Sequence, residues 1–275
     1  MTTVLNETDA EIGSGFTEAA VDVDGFTVRY LTAGEGDVVV ALHGAGGLEK
    51  SLAYDTLAQW HRVVLVEMPG FGAQPNETHH SLAELAETVA NVLTAIGIQS
   101  FALMGTSFGG AVATHLAIAH PDRVTTLVLE APASFRVGSG DPSQLTPEQA
   151  LKAFRTHPER RPAFQPPDPA ASPHSWPLVG RLLAALPPDY PDLAELLPSC
   201  PVPTLVLFGD RDGIIAPENG RTYHRLMPNS AFILVHDAAH GLQYDRPEAF
   251  VDVVEDFLQR GWMFLVPEED SIINP

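Results

Sequence analysis

Six short, almost wholly apolar runs separated by helical patterns constrain this chain more than any other feature. They are DVVVALHG (37–44), RVVLVEM (62–68), FALMG (101–105), VTTLVLE (124–130), TLVLFGD (204–210) and AFILVH (231–236). A strand without polar alternation must be buried on both faces. The segments between them carry helical periodicity instead. SLAELAETVANVLTAIGI (81–98) opens with Ser81 and Glu84 in capping-box spacing and places Leu82, Leu85, Val89, Val92, Leu93 and Ile96 on one stripe. FGGAVATHLAIAH (108–120) is apolar almost all round, as a central buried helix would be, and RPEAFVDVVEDFLQRG (246–261) is amphipathic and ends at glycine. Strand and helix in alternation predict an α/β fold, a mostly parallel sheet with helices on both faces. Upstream, FTEAAVDV and FTVRYLTA join at Asp24-Gly25, a hairpin signal that brings the strand count to eight.

The alternation stops at residues 131–200, which hold fourteen of the 24 prolines, in stretches such as QPPDPAASPHSWP and LPPDYPDLAELLP. Proline lacks the backbone donor that a central strand needs, so this interval reads as an insertion after a strand. Within it, Thr146-Pro147-Glu148-Gln149 marks a helix start, and a second helix is expected near 177–186. The expected division is a loose polar segment (1–15), a core (16–130 and 201–262), the insertion (131–200) and a tail (263–275). A net charge of −20 would repel phosphate backbones and anionic lipid surfaces, so neither nucleic acid nor a membrane is an expected partner. Cys200 is the single cysteine, which excludes an internal disulfide and any multi-cysteine metal site; it reads as a buried, inert thiol. The first fifteen residues show neither basic n-region nor apolar core, and no apolar stretch approaches the roughly 18 residues of a span. The expected location is cytoplasmic. Oligomeric state leaves no mark on the sequence.

Residues 105–110 read GTSFGG, a Gly-x-Ser-x-Gly between a buried strand and an apolar helix. In that context the pattern is a nucleophile elbow, where small neighbours let a serine stand clear of the sheet on a cramped bend. The helix start beyond it offers a backbone N–H and a positive dipole end to a developing oxyanion. Serine is inert at its free pKa, so Ser107 as a nucleophile needs a base, and the base an acid to orient it. With FGDRDGIIAP (208–217) and HDAAHGLQYDRPEAF (236–250) following the last two strands, the chain resembles an α/β-hydrolase. Gly209, Asp212 and Pro217 match that family's acid loop, and His240 followed by Pro247 and Phe250 matches its histidine segment. The order Ser107, Asp212, His240 is the order the family uses. Asp210, at the strand end, reads as a tie for the turn. Glu130, ending VTTLVLE, occupies the alternative position for the acid. LHGAGG (42–47) resembles the family's oxyanion loop, which implies backbone donors from Ala45 and Phe108, with His43 holding the loop. VEMPGFG (66–72) resembles the Asp-x-Pro-Gly-x-Gly loop with Glu67 in the aspartate's place.

The insertion lies where the family places a lid. Phe135, Phe154, Phe164 and Trp176 are candidates for an apolar substrate pocket there, or else pack the insertion onto the core. Arg155, His157, Arg160 and Arg161 form a basic cluster that is a candidate for meeting an acidic substrate, and otherwise reads as a solvated helix end. The resemblance implies a serine hydrolase acting on a small or medium, largely apolar ester or related carbonyl compound, with no metal and no cofactor. Three alternatives stay open. A carbon–carbon bond hydrolase shares the triad, but its relatives often read His-Gly-x-Gly-Pro-Gly, and HGAGG has no proline. A perhydrolase, or cofactor-free haloperoxidase, differs in whether peroxide attacks the acyl-enzyme. A ligand receptor on this fold would bind without turnover.

Overall fold

The computed structural model describes residues 12–140, 144–159, 164–165 and 174–266. Most of the segment expected to be loose (1–11 of 1–15) and most of the expected tail (267–275) lie outside them. In chain order the strands are β1 (Thr17–Val23), β2 (Phe26–Ala33), β3 (Val38–Leu42), β4 (Lys50–Ser51), β5 (Arg62–Val66), β6 (Phe101–Thr106), β7 (Val124–Glu130), β8 (Phe164–Gln165), β9 (Thr204–Gly209) and β10 (Ser230–Val235). Eight of them form one sheet in the order β1-β2-β5-β3-β6-β7-β9-β10. The β1–β2 hairpin and the β2–β5 pair are antiparallel, and every pair from β5 to β10 is parallel. The α/β class and the mostly parallel eight-stranded sheet are therefore as the sequence predicts. The positive φ values of Asp24 (53°) and Gly25 (84°) supply the tight turn of the hairpin.

The helices are α1 (Leu52–Leu57), α2 (Leu82–Ala95), α3 (Phe108–Ala119), α4 (Pro147–Phe154), α5 (Ser175–Ala184), α6 (Pro191–Leu196), α7 (Glu218–Leu226), α8 (Leu242–Asp245) and α9 (Pro247–Arg260). Strand periodicity divides each apolar run between two cores. Val40, Leu42, Leu103, Leu127 and Val206 face one side with α2 and α3, whereas Val39, Ala41, Met104, Val128 and Leu205 face α1 and α9. Each fully buried valine or leucine stabilises the fold by about 1.5–3 kcal/mol. Ser81 caps α2 by accepting the Glu84 N–H at 3.1 Å. The Glu84 carboxylate does not return to its cap; it takes the His80 N–H at 2.6 Å.

Among the described residues the insertion adds no strand to the main sheet. Its residues 164–165 pair antiparallel with β4 in a separate two-stranded ribbon. α4 starts at the expected Thr146, with both bonds of a capping box formed, and α5 starts two residues before the expected position. α6 has no counterpart in the sequence reading; it follows Tyr190, held at φ 30°. Arg160 and Arg161 lie outside the described residues, and of Phe164 only the backbone is described.

Candidate active site

The carboxyl ends of β6, β7, β9 and β10 gather the candidate residues along one edge of the sheet. Ser107 follows β6 directly and has φ 54° and ψ −112°, a left-handed strain that costs about 1–3 kcal/mol. Close approach explains the flanking glycines. A Cβ on Gly105 would stand 2.5 Å from the Gly109 oxygen, and one on Gly109 would stand 2.4 Å from the oxygens of both Leu42 and His43. Backbone bonds fix the bend from both sides. The Ser107 N–H donates to the Glu130 oxygen at 2.8 Å, and the Ser107 oxygen accepts from Ala111 (3.1 Å) and Ala133 (2.9 Å).

His240 and Asp212 are brought together. The His240 Nδ1 lies 2.8 Å from Asp212 Oδ2, with side-chain exposures of 4% and 0%. Asp212 Oδ1 meanwhile accepts the N–H groups of Ile214 (2.8 Å) and Ile215 (2.9 Å), so both carboxylate oxygens are fixed. A carboxylate at Nδ1 keeps the proton there and leaves the lone pair on Nε2. Burial pulls the His240 pKa down, but the charge and hydrogen bond of Asp212, with Glu130 and Glu49 beyond, outweigh it and the net direction is up. Asp210 holds the turn, as expected: its carboxylate sits 2.7 Å from His236 Nδ1 and accepts the Asp237 N–H at 2.9 Å.

Glu130 is 2% exposed, and its carboxylate is turned to other partners than His240: it accepts from Thr106 Oγ1 (2.6 Å), Gln243 N (3.2 Å) and Gln243 Nε2 (2.9 Å). The geometry thus gives the imidazole to Asp212.

The Gly-rich segment after β3 leans on the elbow, where a Cβ on Gly44 would lie 3.6 Å from Ser107 Cβ. His43 holds it there. Its Nδ1–H donates to the Gly44 oxygen (2.8 Å) and its Nε2 accepts the Met68 N–H (3.0 Å). Burial, aided by the charge of Arg29, lowers its pKa to about 4, so the ring is neutral. Ala45 follows in this loop, and Phe108 opens α3, its ring tilted at 43° against Phe71 with centroids 5.6 Å apart, while the Phe71 ring meets His43 edge-on at 4.5 Å. Glu67 ties its loop to β2 through Arg29 at 2.6 Å.

Of the pocket candidates, Phe154 touches the site: its ring stands edge-on to His240 at 5.3 Å and 84°. Phe135 is instead a core residue, 1% exposed against Tyr223 at 5.0 Å, and Trp176 is 63% exposed on α5. The expected solvated helix end is corrected as well. Arg155 stacks over Tyr244 at 4.5 Å, and His157 Nε2 lies 2.7 Å from Asp237. The buried Asp245 carboxylate accepts the N–H groups of Thr156, His157 and Ala239 at 2.8–3.0 Å. Gly241 and Gly213 donate to the oxygens of Phe154 (3.0 Å) and Ala153 (3.2 Å). The end of α4 is therefore stitched to both the Asp212 and the His240 loops.

Glu49, in the Gly-rich segment, faces Tyr244, Glu130, Arg155 and His240; burial drives its pKa up to about 7. Neither Glu49, Gln243 nor Asp245 carries a motif that sequence reading could have used. Cys200 is buried and its thiol pKa raised by burial, as an inert thiol would be. Among the described residues no group of three or more His, Cys, Asp or Glu is placed to hold a metal ion, and no helix is long and apolar enough to cross a membrane.

This fold and edge of residues define an α/β-hydrolase, and the alpha/beta hydrolase family profile matches residues 39–253: the chain belongs to that family and is an enzyme of that class. Among individual proteins, it is 30% identical to a pimeloyl-[acyl-carrier protein] methyl ester esterase of Photobacterium profundum, over 84% of this chain and 98% of that one. It is also 30% identical to a 2-hydroxymuconate semialdehyde hydrolase of Pseudomonas putida, over 85% and 91%. A membrane phospholipase A crystal structure superposes with a TM-score of 0.74 at 26% identity, covering 89% of this chain and 86% of that one.

Proposed function

We propose that this enzyme hydrolyses a carboxylic ester of small or medium size and largely apolar character, with Ser107 as nucleophile, His240 as base and Asp212 as orienting acid. The observation that carries the reading is the buried 2.8 Å His240–Asp212 pair at the sheet edge where the strained Ser107 also emerges. His240 Nε2 takes the Ser107 proton as Oγ attacks the ester carbonyl, and Asp212 stabilises the imidazolium. The N–H groups of Ala45 and Phe108 receive the oxyanion. The imidazolium returns its proton to the departing alcohol, and water, deprotonated by His240, then releases the acid from the acyl-enzyme. The Phe154 ring beside His240 suits an apolar substrate. The segment 131–200 is read as a cap fixed to the histidine loop at Asp245, and the chain as one acting on small molecules in the cytoplasm.

Carbon–carbon bond hydrolysis is the second reading, favoured by the likeness to a semialdehyde hydrolase. Side-by-side assay of wild type and Ser107→Ala with p-nitrophenyl butyrate and with a vinylogous dienoate separates the two. Turnover of the ester by wild type alone, with covalent labelling of Ser107 by a fluorophosphonate, supports esterase action. Turnover of the dienoate alone transfers the triad to carbon–carbon chemistry. Folded wild-type protein that neither labels nor turns over refutes both.

A further inference from the structure

We propose that Glu130 is a positioning residue that ties the nucleophile elbow to the histidine loop, so that one buried side chain sets the placement of His240 relative to Ser107. The inference rests on the reading of His240 as the base and goes beyond it. Glu130 touches both catalytic segments. Its backbone oxygen accepts the Ser107 N–H at 2.8 Å. Its carboxylate accepts the Thr106 hydroxyl at 2.6 Å, one residue before the nucleophile. The same carboxylate accepts the backbone and side-chain N–H groups of Gln243, three residues after His240.

The amide of Gln243 is not free to turn away. Its Oε1 accepts the Ser51 hydroxyl at 2.8 Å, and Ser51 Oγ in turn caps α1 by accepting the Tyr54 N–H at 3.3 Å. That bond aims Nε2 at Glu130. A hydrogen-bonded chain thus runs Ser51, Gln243, Glu130, Thr106, crossing from α1 through α8 to β7 and β6. Every member is at least nine-tenths buried, so each bond replaces water that cannot reach the group. Three donors on one buried carboxylate are what an anion needs to persist away from solvent.

The charge has a second consequence at the imidazole. His240 is faced by Asp212 from the loop after β9, by Glu130 from the end of β7 and by Glu49 from the loop after β3. Glu49 is itself faced by Tyr244, Arg155, Glu130 and Tyr54. Burial raises the Glu130 pKa, against the Thr106 and Gln243 hydrogen bonds and the His240 charge. A carboxylate at Glu130 favours the imidazolium that forms when the nucleophile gives up its proton.

The test compares wild type, Glu130→Gln, Gln243→Ala and Asp212→Asn by two readouts. One is kcat/KM for p-nitrophenyl butyrate against pH; the other is NMR of the His240 ring, following its titration midpoint and its low-field Nδ1–H resonance. Glu130→Gln keeps the shape but sets an amide against the Gln243 amide. It is expected to lower kcat/KM about tenfold and to move the His240 midpoint down by about half a pH unit. Gln243→Ala leaves the carboxylate in place, so it should lower kcat/KM, broaden the Nδ1–H resonance and leave the midpoint within reach of wild type. A Glu130→Gln protein that loses only melting temperature, with midpoint and kcat/KM intact, overturns the proposal. So does a loss as large as that of Asp212→Asn, which would make Glu130 the orienting acid. Should Glu130→Gln fail to fold, Gln243→Ala decides: an unchanged kcat/KM and a sharp Nδ1–H resonance refute the tie. If wild type hydrolyses no ester, the esterase reading fails on its own, and the ring resonances still test the placement.

Discussion

Replacing Asp212 by asparagine changes one atom, and the structure dictates which way the new amide must face. Two backbone donors, Ile214 N and Ile215 N, lie 2.8 and 2.9 Å from Oδ1. An NH2 group cannot accept from them, so the asparagine oxygen stays at Oδ1 and the NH2 takes the place of Oδ2, facing His240 Nδ1. That nitrogen must then accept, which drives the ring proton to Nε2, the atom that has to receive the proton of Ser107. The imidazolium also loses its nearest counter-charge. Together these should lower kcat about 10³–10⁴-fold, or 4–5.5 kcal/mol of barrier, the scale seen when a triad aspartate becomes an amide. Folding should barely change, since the two backbone bonds and the packing survive. The assay is kcat for p-nitrophenyl butyrate with active sites counted by fluorophosphonate, alongside a thermal melt. A folded Asp212→Asn enzyme within tenfold of wild type would refute the assignment, and would point to Glu130 if Glu130→Gln collapsed in the same assay.

The remaining predictions concern the supports of the site. Gly109→Ala sets a methyl 2.4 Å from two backbone oxygens of the β3 end, which cannot yield; the protein should be insoluble or melt far below wild type, and a melting temperature within about 3 °C would contradict the close-packing account. His43 is neutral in the fold with a pKa of about 4 against 6.5 unfolded, so its contribution is complete above pH 6.5 and is lost as pH falls toward 4, by about 3 kcal/mol. Urea unfolding of wild type and His43→Asn at pH 4.5, 5.5 and 6.5 should show the steeper acid loss in wild type, and parallel losses would disprove the neutral ring. Glu49, with its pKa raised to about 7, has the opposite sign: it is protonated without penalty at pH 4.5 and costs stability as pH rises through 7. Glu49→Gln should therefore stabilise the protein on the order of 3 kcal/mol at pH 8 and not at pH 4.5, read by the same unfolding assay; an equal effect at both values would rule the buried charge out.

The parts legible in the sequence are those that local chemistry forces. An apolar run such as VVVAL can satisfy both faces only inside a covered sheet, and the β3 residues Val39 and Val40 do divide between the two cores. GTSFGG is legible because the elbow tolerates no Cβ at Gly105 or Gly109. Glu130 was visible as a carboxylate at the end of β7, but its partner Gln243 lies 113 residues away and obeys no pattern. Asp245 was hidden for the same reason: it reads as an ordinary acidic residue before Arg246-Pro247, and its work is to bind backbone N–H groups 88 and 89 residues earlier. Phe135 and Trp176 show where the sequence left two outcomes open. Aromatic content in a proline-rich insertion says that something is buried, and only the fold decides that Phe135 fills the core while Trp176 stands in solvent.

The carboxylates around His240 set two demands against each other. Burial favours the neutral imidazole that must accept a proton, whereas Asp212, Glu130 and Glu49 favour the imidazolium that results. A raised pKa makes a stronger base but leaves less of it unprotonated at a given pH, so the working range moves upward. The activity profile should then have its acid limb above pH 6.5, the ordinary histidine value, rather than below it. Glu49, whose pKa burial lifts to about 7, broadens the limb, because the charge it gains as pH rises favours the imidazolium and opposes loss of the imidazole proton. Removing that charge with Glu49→Gln should move the limb down while leaving the plateau of kcat/KM near its wild-type level, since Asp212 still holds the ring. A limb that stays in place on loss of Glu49 would mean that its charge does not reach the imidazole, and that Asp212 and Glu130 set the base strength without it.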